Sequence, residues 1–493
     1  MTTAPSGGPV TSPYVGPRPF RRGELFFGRE RETTGLVDTL LASRIVLLHS
    51  PSAAGKTSLL QAAVAPEMER RDFQLCVQRA PFSPARVSTP ATLKADNSYA
   101  AGVVSCLLAH RNDLDPARTF TISDALDLLA KEPGAPDQQL LMIDQFEEVL
   151  ILDPTDFEGQ KAFFRQLGAA LDSRNRWALI AMREDFMGGL DCFLRYIPGH
   201  LRTTFRLDLL KTESAKLAIR LPSEKFGVDF TDDAATGLIR DLQLIRTGRA
   251  DDRRGTYVEP VFVQVVCDSL WRRVHEQHAV VSSITTKDLT AFGPLDAALA
   301  VYYNWVLKEA SRGSRPVERE IREWIERQLL TKDHLRRQTM TRPNLPDADA
   351  DAVMTVLQDR YLVRGDRRGE TVWWELSHDR MSSPIVDDNE AWRQTLEPWQ
   401  RAAYEWHRRH HDERYLARGE RLRAARAYRR KKHRLTDVEK EYLERSEAAA
   451  ATQKTLDRAT SRINILFVIL SLSLTLNAAL VAYFLRKRKR PAN

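Results

Sequence analysis

Cysteine is scarce in this chain. There are four in 493 residues, Cys76, Cys106, Cys192 and Cys267, scattered and with no CxxC pair. That excludes a secreted disulfide framework and a structural zinc site, and it fits a reducing compartment. An internal repeat is also lacking, so nothing points to a solenoid or propeller. The first twenty residues, MTTAPSGGPVTSPYVGPRPF, contain no apolar run. They do not read as a secretory signal; their Pro, Gly, Ser and Thr content makes residues 1–20 a flexible lead-in.

What is present suits a globular, multidomain chain. Hydrophobic residues make up 43% and charged residues 28%, enough to bury real cores. At roughly 100–200 residues per domain the length suggests about three domains. The net charge of +8 comes from 74 basic and 66 acidic residues, and the excess gathers in Arg401–Arg434 and Arg486–Arg490. Basic runs suit nucleic acid, anionic lipid or a solvated helix face. His407, His410 and His411 fall within the first run, among arginines, and read as part of a solvated face rather than a metal site. The second run directly follows an apolar stretch, which favours lipid headgroups or an insertion signal.

That stretch, Ile465–Leu485, reads ILFVILSLSLTLNAALVAYFL and carries no charge. At ~1.5 Å per residue a helix of this length crosses the ~30 Å apolar layer of a bilayer. Tyr483 and Phe484 stand where interfacial aromatics belong. Ser471 with Thr475, and Ser473 with Asn477, are spaced i, i+4. Two expectations follow: self-association through Asn477, or toleration of a few small polar groups within the span. The flanking charges barely decide orientation, because Arg445, Lys454, Arg458 and Arg462 balance the tail. Nucleotide chemistry, argued next, puts the large N-terminal part in the cytoplasm.

Residues 44–49, RIVLLH, form a short apolar run suited to a buried parallel strand. Ser50-Pro51-Ser52-Ala53-Ala54-Gly55-Lys56-Thr57 follows, and then the helix-like SLLQAAV, beginning at Ser58. Strand, tight loop and helix make the context of a P-loop, whose backbone N–H groups cradle phosphate oxygens. Lys56 is expected on the β- and γ-phosphates of ATP or ADP, and Thr57 on Mg²⁺. The pattern has Gly at its first position; this chain has Ser50, and Ala53 and Ala54 stiffen the loop further.

A second buried strand, LLMID, ends at Asp144 and leads into QFEEV. Asp144 is expected to order Mg²⁺, and Glu147 and Glu148 to orient or activate an attacking water. A third strand, WALIAM, ends at Arg183, a candidate sensor of the γ-phosphate. These strands predict an α/β fold, a doubly wound parallel sheet with ligand groups at the strands' C-terminal ends.

From about Tyr14 to Leu485 the chain resembles the STAND class of signal-transducing NTPases, in particular the novel STAND NTPase 1 family. YVGPRPF at residues 14–20 and FFGRE at 26–30 are similar to the family's entry motif, MIDQFEEV to its Walker B signature, and Arg183 to its sensor arginine. The resemblance implies that Gly28, Arg29 and Glu30 lie beside adenine and ribose. It also implies that Pro260 packs on adenine, and that His378, in a Ser-His-Asp segment, touches the β-phosphate of ADP and holds a closed state. An alternative reading makes His378 a buried structural residue.

The domains expected on this basis are a lead-in over 1–20, a P-loop NTPase domain over 21–205 and a helical lid over 206–290. A winged helix follows over 291–390, then a basic helical segment over 391–462, a transmembrane helix over 463–485 and a basic tail over 486–493. Thr436-Asp-Val-Glu439 reads as a capping box opening the last helix. Relatives often carry a repeat sensor after the membrane region; here eight residues follow the span, so the sensor is expected on another chain or missing. No effector domain fits before residue 20.

The expectation is a single-pass, membrane-anchored ATP/ADP switch with slow ATPase turnover that oligomerises when active, in signalling or defence. Two alternatives stay open. One is a catalytically weak nucleotide-binding scaffold, motivated by Ser50, Ala53 and Ala54. The other is a nucleic-acid-binding regulator, ranked last because the winged helix of STAND proteins is usually a packing module.

Overall fold

The computed structural model describes residues 11–76, 97–111, 114, 118–245, 253–278, 280–368, 371–430 and 435–488. Residues 1–10 of the lead-in, 431–434 of the first basic run, Gly369 and 489–493 of the tail lie outside the described residues, as do the side chains of Tyr483 and Phe484. The chain divides into two units, Met1–Gly313 with Ile321–Asp388, and Ser314–Glu320 with Asn389–Asn493.

The first unit is organised around a five-stranded sheet: β1 (Ile45–Ser50), β2 (Phe73–Cys76), β3 (Gln138–Ile143), β4 (Arg176–Arg183) and β5 (Thr204–Arg206). All pairings are parallel and the order is β2-β3-β4-β1-β5. The middles of β1, β3 and β4 are apolar because both faces are covered. Ile45 and Leu47 of β1, Leu141 and Ile143 of β3, and Ala178, Ile180 and Met182 of β4 pack into one cluster with Val103, Leu126 and Phe163. Their neighbours Val46, Leu48, Leu140, Met142, Leu179 and Ala181 pack into the other with Leu36, Leu40 and Leu60. This alternation is the two-residue period of a strand with both faces buried.

The helices on the first face start at side-chain caps. Asn97 accepts from the backbone N–H of Tyr99 and Ala100, Asp156 from Gly159, and Thr121 with Asp124 closes a capping box. Because the sheet is parallel, the C-terminal ends of β1, β3 and β4 meet at one edge. β4 runs between β1 and β3, with Ser50 in register with Arg183. Beyond the sheet come the helices Thr212–Lys225, Asp232–Leu242, Pro260–Gln277, Leu295–Ala310 and Asp347–Asp359. An antiparallel hairpin of Val363–Arg368 and Thr371–Leu376 follows.

The second unit has its own core, built by Trp399, Trp406, Leu422, Tyr442 and Leu443. The expected capping box forms: Thr436 N–H donates to Glu439 Oε2 at 3.0 Å, and Glu439 N–H to Thr436 Oγ1 at 3.3 Å. Glu439 is fully buried and also takes Gln400 Nε2 at 2.9 Å and Arg319 Nη2 at 3.1 Å. The helix opened there, Asp437–Arg488, runs unbroken for 52 residues. The end of the expected basic segment, residues 437–462, and the apolar span therefore share one helix. Its stretch from Ala451 to Ala482 is exposed, and it is long and apolar enough to cross a membrane.

Candidate functional site

The turn after β1 closes in two unusual backbone steps. Gly55 has φ +93 and precedes the helix Lys56–Ser58, which continues through Leu59–Val64 and Ala65–Glu69. Ala53 has φ +65, a left-handed conformation that costs an L-residue roughly 1–2 kcal/mol. Gln145, directly after Asp144, is left-handed as well, at φ +58. Backbone strain of this kind collects at functional sites.

The loop and the strand ends bring the expected residues together. Lys56 Nζ donates to Ser50 Oγ at 2.8 Å. Thr57 Oγ1 donates to Asp144 Oδ2 at 2.5 Å, across 87 residues of sequence. Glu147 is 8% exposed, and its Oε2 accepts the backbone N–H of Arg183 at 3.2 Å, which ties the end of β4 to the turn after β3. Burial lowers the pKa of Lys56 against the pull of Glu147 and Asp144, while the charge of Arg183 lowers it further. Burial likewise raises the pKa of Glu147, and the charge of Lys56 only partly offsets this. Both shifts state that the site is desolvated and that its charges depend on each other. Glu148 opens the helix Glu148–Ile151 and is half-buried, while Glu147 is buried and its charge acts on Lys56. Arg183 itself pairs with Asp185 at 2.7 Å and lies 3.7 Å from Asp366 of the hairpin.

The other expected residues surround this centre in different ways. Arg29 is 4% exposed; its Nη2 donates to Ala54 O at 2.9 Å and Asp208 O at 2.7 Å, and its Nη1 pairs with Glu32 at 2.8 Å. Its charge thus braces the phosphate-loop backbone. Gly28 has φ +85, and a Cβ there would run into the carbonyl oxygen of Ser214, so only glycine fits against the helix Thr212–Lys225. The carboxylate of Glu30 folds back onto Gly28 N–H at 3.0 Å. Ser58 Oγ accepts Phe20 N–H at 3.2 Å and so anchors the lead-in.

Pro260 starts its helix and packs at Gly55: a Cβ on Gly55 would lie 3.9 Å from the proline Cγ. His378 Nδ1 lies 2.9 Å from Glu259 Oε2, and its ring meets Phe262 edge-on with centroids 5.2 Å apart. His378 is therefore at the start of the same helix as Pro260. Ser52 is held from above: Arg364 Nη1 donates to its Oγ at 2.5 Å, and Arg364 pairs across the hairpin with Glu375. Pro51 lends only its backbone, its carbonyl accepting from Ser50 Oγ at 2.7 Å.

A family model described as Novel STAND NTPase 1 matches residues 13–414. The chain belongs to this family.

This STAND NTPase is also similar to solved Walker-type proteins. A Walker-type ATPase of Pyrococcus abyssi is 14% identical, with 75% of this chain and 98% of that one covered and a TM-score of 0.39. Cdc6p of Pyrobaculum aerophilum is 12% identical, with 74% and 94% covered and a TM-score of 0.33. The ORC2 protein of Aeropyrum pernix, solved in ADPNP–ADP complexes, is 12% identical, with 76% and 97% covered and a TM-score of 0.35. No curated protein matches.

Four residues that contact the candidate site residues escaped sequence reasoning: Arg364, Asp366, Glu259 and Phe262. Arg364 and Asp366 belong to the run RGDRRGE, which reads as a solvated turn. Glu259 carries one weak signal, its place directly before Pro260.

Proposed function

We propose that this STAND NTPase is a membrane-anchored switch that binds ADP or ATP with Mg²⁺ and changes its association state with the nucleotide. The reading is carried by one observation, the convergence of Lys56, Thr57, Asp144, Glu147 and Arg183 at the C-terminal edge of a parallel sheet. Lys56 would leave Ser50 for the phosphates, and the N-terminus of its helix would face their negative charge. Thr57 Oγ1 and Asp144 Oδ2 are already in contact, and such oxygens are the donors a hard divalent cation takes. The cation would supply charge neutralisation at the β- and γ-phosphates. Glu147, with its raised pKa, suits the handling of the attacking water's proton, and Arg183 the phosphate charge.

Residues 206–290 would then act as a lid and 291–390 as a winged helix with the hairpin as its wing. Pro260 would pack on the base and His378 would secure the ADP-bound form, with hydrolysis slow. The apolar part of Asp437–Arg488 would anchor the chain, with the NTPase region in the cytoplasm. Signalling or defence would be the process served.

The test is the nucleotide released on denaturing the purified full-length protein, beside its Lys56→Ala variant. ADP in the wild type and none in the variant supports the switch. Neither nucleotide, even after incubation with Mg-ATP, sinks it. Nucleotide retained without turnover points to the second reading, a scaffold that uses nucleotide structurally. The Lys56–Ser50 contact, at the position where the motif has Gly, is the observation in its favour.

A further inference from the structure

We infer that the exposed part of the last helix is a parallel self-association seam, and that its occupant is the same helix of a second copy of this chain. The inference rests on the anchored reading above, because insertion in one orientation makes the copies parallel.

Beyond the core of the second unit, the helix carries exposed apolar residues seven apart: Leu456, Ile463 and Leu470, at 56%, 52% and 57% exposure, with Leu466 and Leu480 on the interleaved positions. Thr452, Ala459 and Ser473 complete the interleaved row, and all three are exposed. On a helix advancing about 100° per residue, Thr452, Ala459 and Ile463 lie within about 60° of Leu456. Lys454, Asp457, Arg458 and Arg462 all lie about 100° or more away. The charges are therefore confined to the flanks and the far side. Of the positions bordering the seam, Gln453, Thr455 and Thr460 are neutral, and Arg462, one heptad after Thr455, falls opposite Phe467 of the second copy, so a parallel pair sets no like charges against each other.

The same heptad row enters the apolar span and reaches Asn477, twenty-one residues after Leu456. The polar residues of the span then sort into two kinds. Ser471 Oγ donates back to Phe467 O at 2.8 Å and Thr475 Oγ1 to Leu472 O at 2.8 Å, so each is satisfied on its own helix. Ser473 and Asn477 are the two on the seam, and among the described residues neither makes a side-chain hydrogen bond. An amide in hydrocarbon is stabilised by a partner across a helix interface. In a parallel pair in register, Asn477 faces Asn477, which makes the seam self-complementary and selects one register.

Cysteines placed singly along residues 452–463 of the full-length protein in native-like vesicles, in a Cys106→Ser, Cys192→Ser background, test this under mild oxidation. Dimer yield should peak for Thr452→Cys, Leu456→Cys, Ala459→Cys and Ile463→Cys. It should be several-fold lower for Lys454→Cys, Arg458→Cys and Ser461→Cys. Adding Asn477→Leu should lower the peaks, and Asn477→Gln should retain them. A flat profile, maxima on the charged face, or peaks unmoved by Asn477→Leu would overturn the seam. Flotation of the same vesicles separates the two readings. A chain that floats without periodic cross-links keeps its anchor and loses the seam; one that does not float loses both.

Discussion

Arg364 reaches across 312 residues of sequence to donate to the hydroxyl of Ser52 in the phosphate loop. Its partner on the facing strand is Glu375, and two residues along the hairpin Asp366 approaches Arg183. The hairpin thus meets the loop through one charged hydrogen bond and the end of β4 through a longer ion pair, and a charged hydrogen bond is stronger than a neutral one and easily traded for a phosphate. Arg364→Ala should speed nucleotide release. A hydrogen bond to a charged group contributes about 1.5–3 kcal/mol, so the off-rate should rise on the order of tenfold or more. Release of a fluorescent ADP analogue in stopped flow measures it, and an unchanged rate would exclude the hairpin as a clamp.

Glu147 predicts a pH dependence of definite sign. Burial lifts its carboxyl above the ordinary range, so between that range and the raised value the native chain holds more protons than the unfolded one. Stability contributed by this group is complete below the ordinary range and falls as pH rises through the window. Glu147→Gln, which keeps the neutral shape, should raise the melting temperature of nucleotide-free protein at neutral pH and leave it nearly unchanged at the acid end. Parallel melting curves across pH decide it; equal shifts at every pH would contradict the assignment.

Gly28 is held where a side chain has no room. Its φ is left-handed, and an added Cβ meets the backbone oxygen of Ser214 rather than a movable side chain. Gly28→Ala should therefore destabilise the first unit by roughly 2–4 kcal/mol. Chemical denaturation with an unchanged slope and a lower midpoint would show this. A midpoint equal to wild type would mean that the two segments move apart at little cost.

The buried pair Arg319–Glu439 should dominate the second unit. Glu439 takes hydrogen bonds from Thr436, Gln400 and Arg319 at essentially zero exposure. Glu439→Ala removes the carboxylate that faces a buried guanidinium and should cost about 3–5 kcal/mol, whereas Arg319→Met with Glu439→Leu should retain much more stability. Fluorescence of the buried Trp399 and Trp406 follows this unit's unfolding. A double variant no better than the single one would argue that the charges themselves are required.

The phosphate loop, Asp144 and Arg183 were legible because each ends a contiguous apolar run, and a parallel sheet aligns such ends automatically. The capping box at Thr436 was legible for a similar reason, since its two bonds span only three residues. Arg29 was read as a ligand-facing residue, and its bonds to Ala54 O and Asp208 O could not be foreseen. Between Glu147 and Glu148 the sequence offers no preference. The turn after β3, with Gln145 left-handed, buries the first, whose carboxylate accepts the backbone N–H of Arg183.

By itself, then, the sequence determined a nucleotide-type loop on a parallel sheet, an acid at the adjoining edge and a helix long and apolar enough for a bilayer. All of these are written in local periodicity and short motifs, where neighbouring residues determine the conformation. Only the tertiary structure decided that Arg364 meets Ser52, that His378 pairs with Glu259 across 119 residues, and that the helix opened at Thr436 runs without a break into the apolar span. These are packing outcomes. A hydrogen bond between distant segments depends on how whole layers settle against each other, and no local pattern encodes that distance.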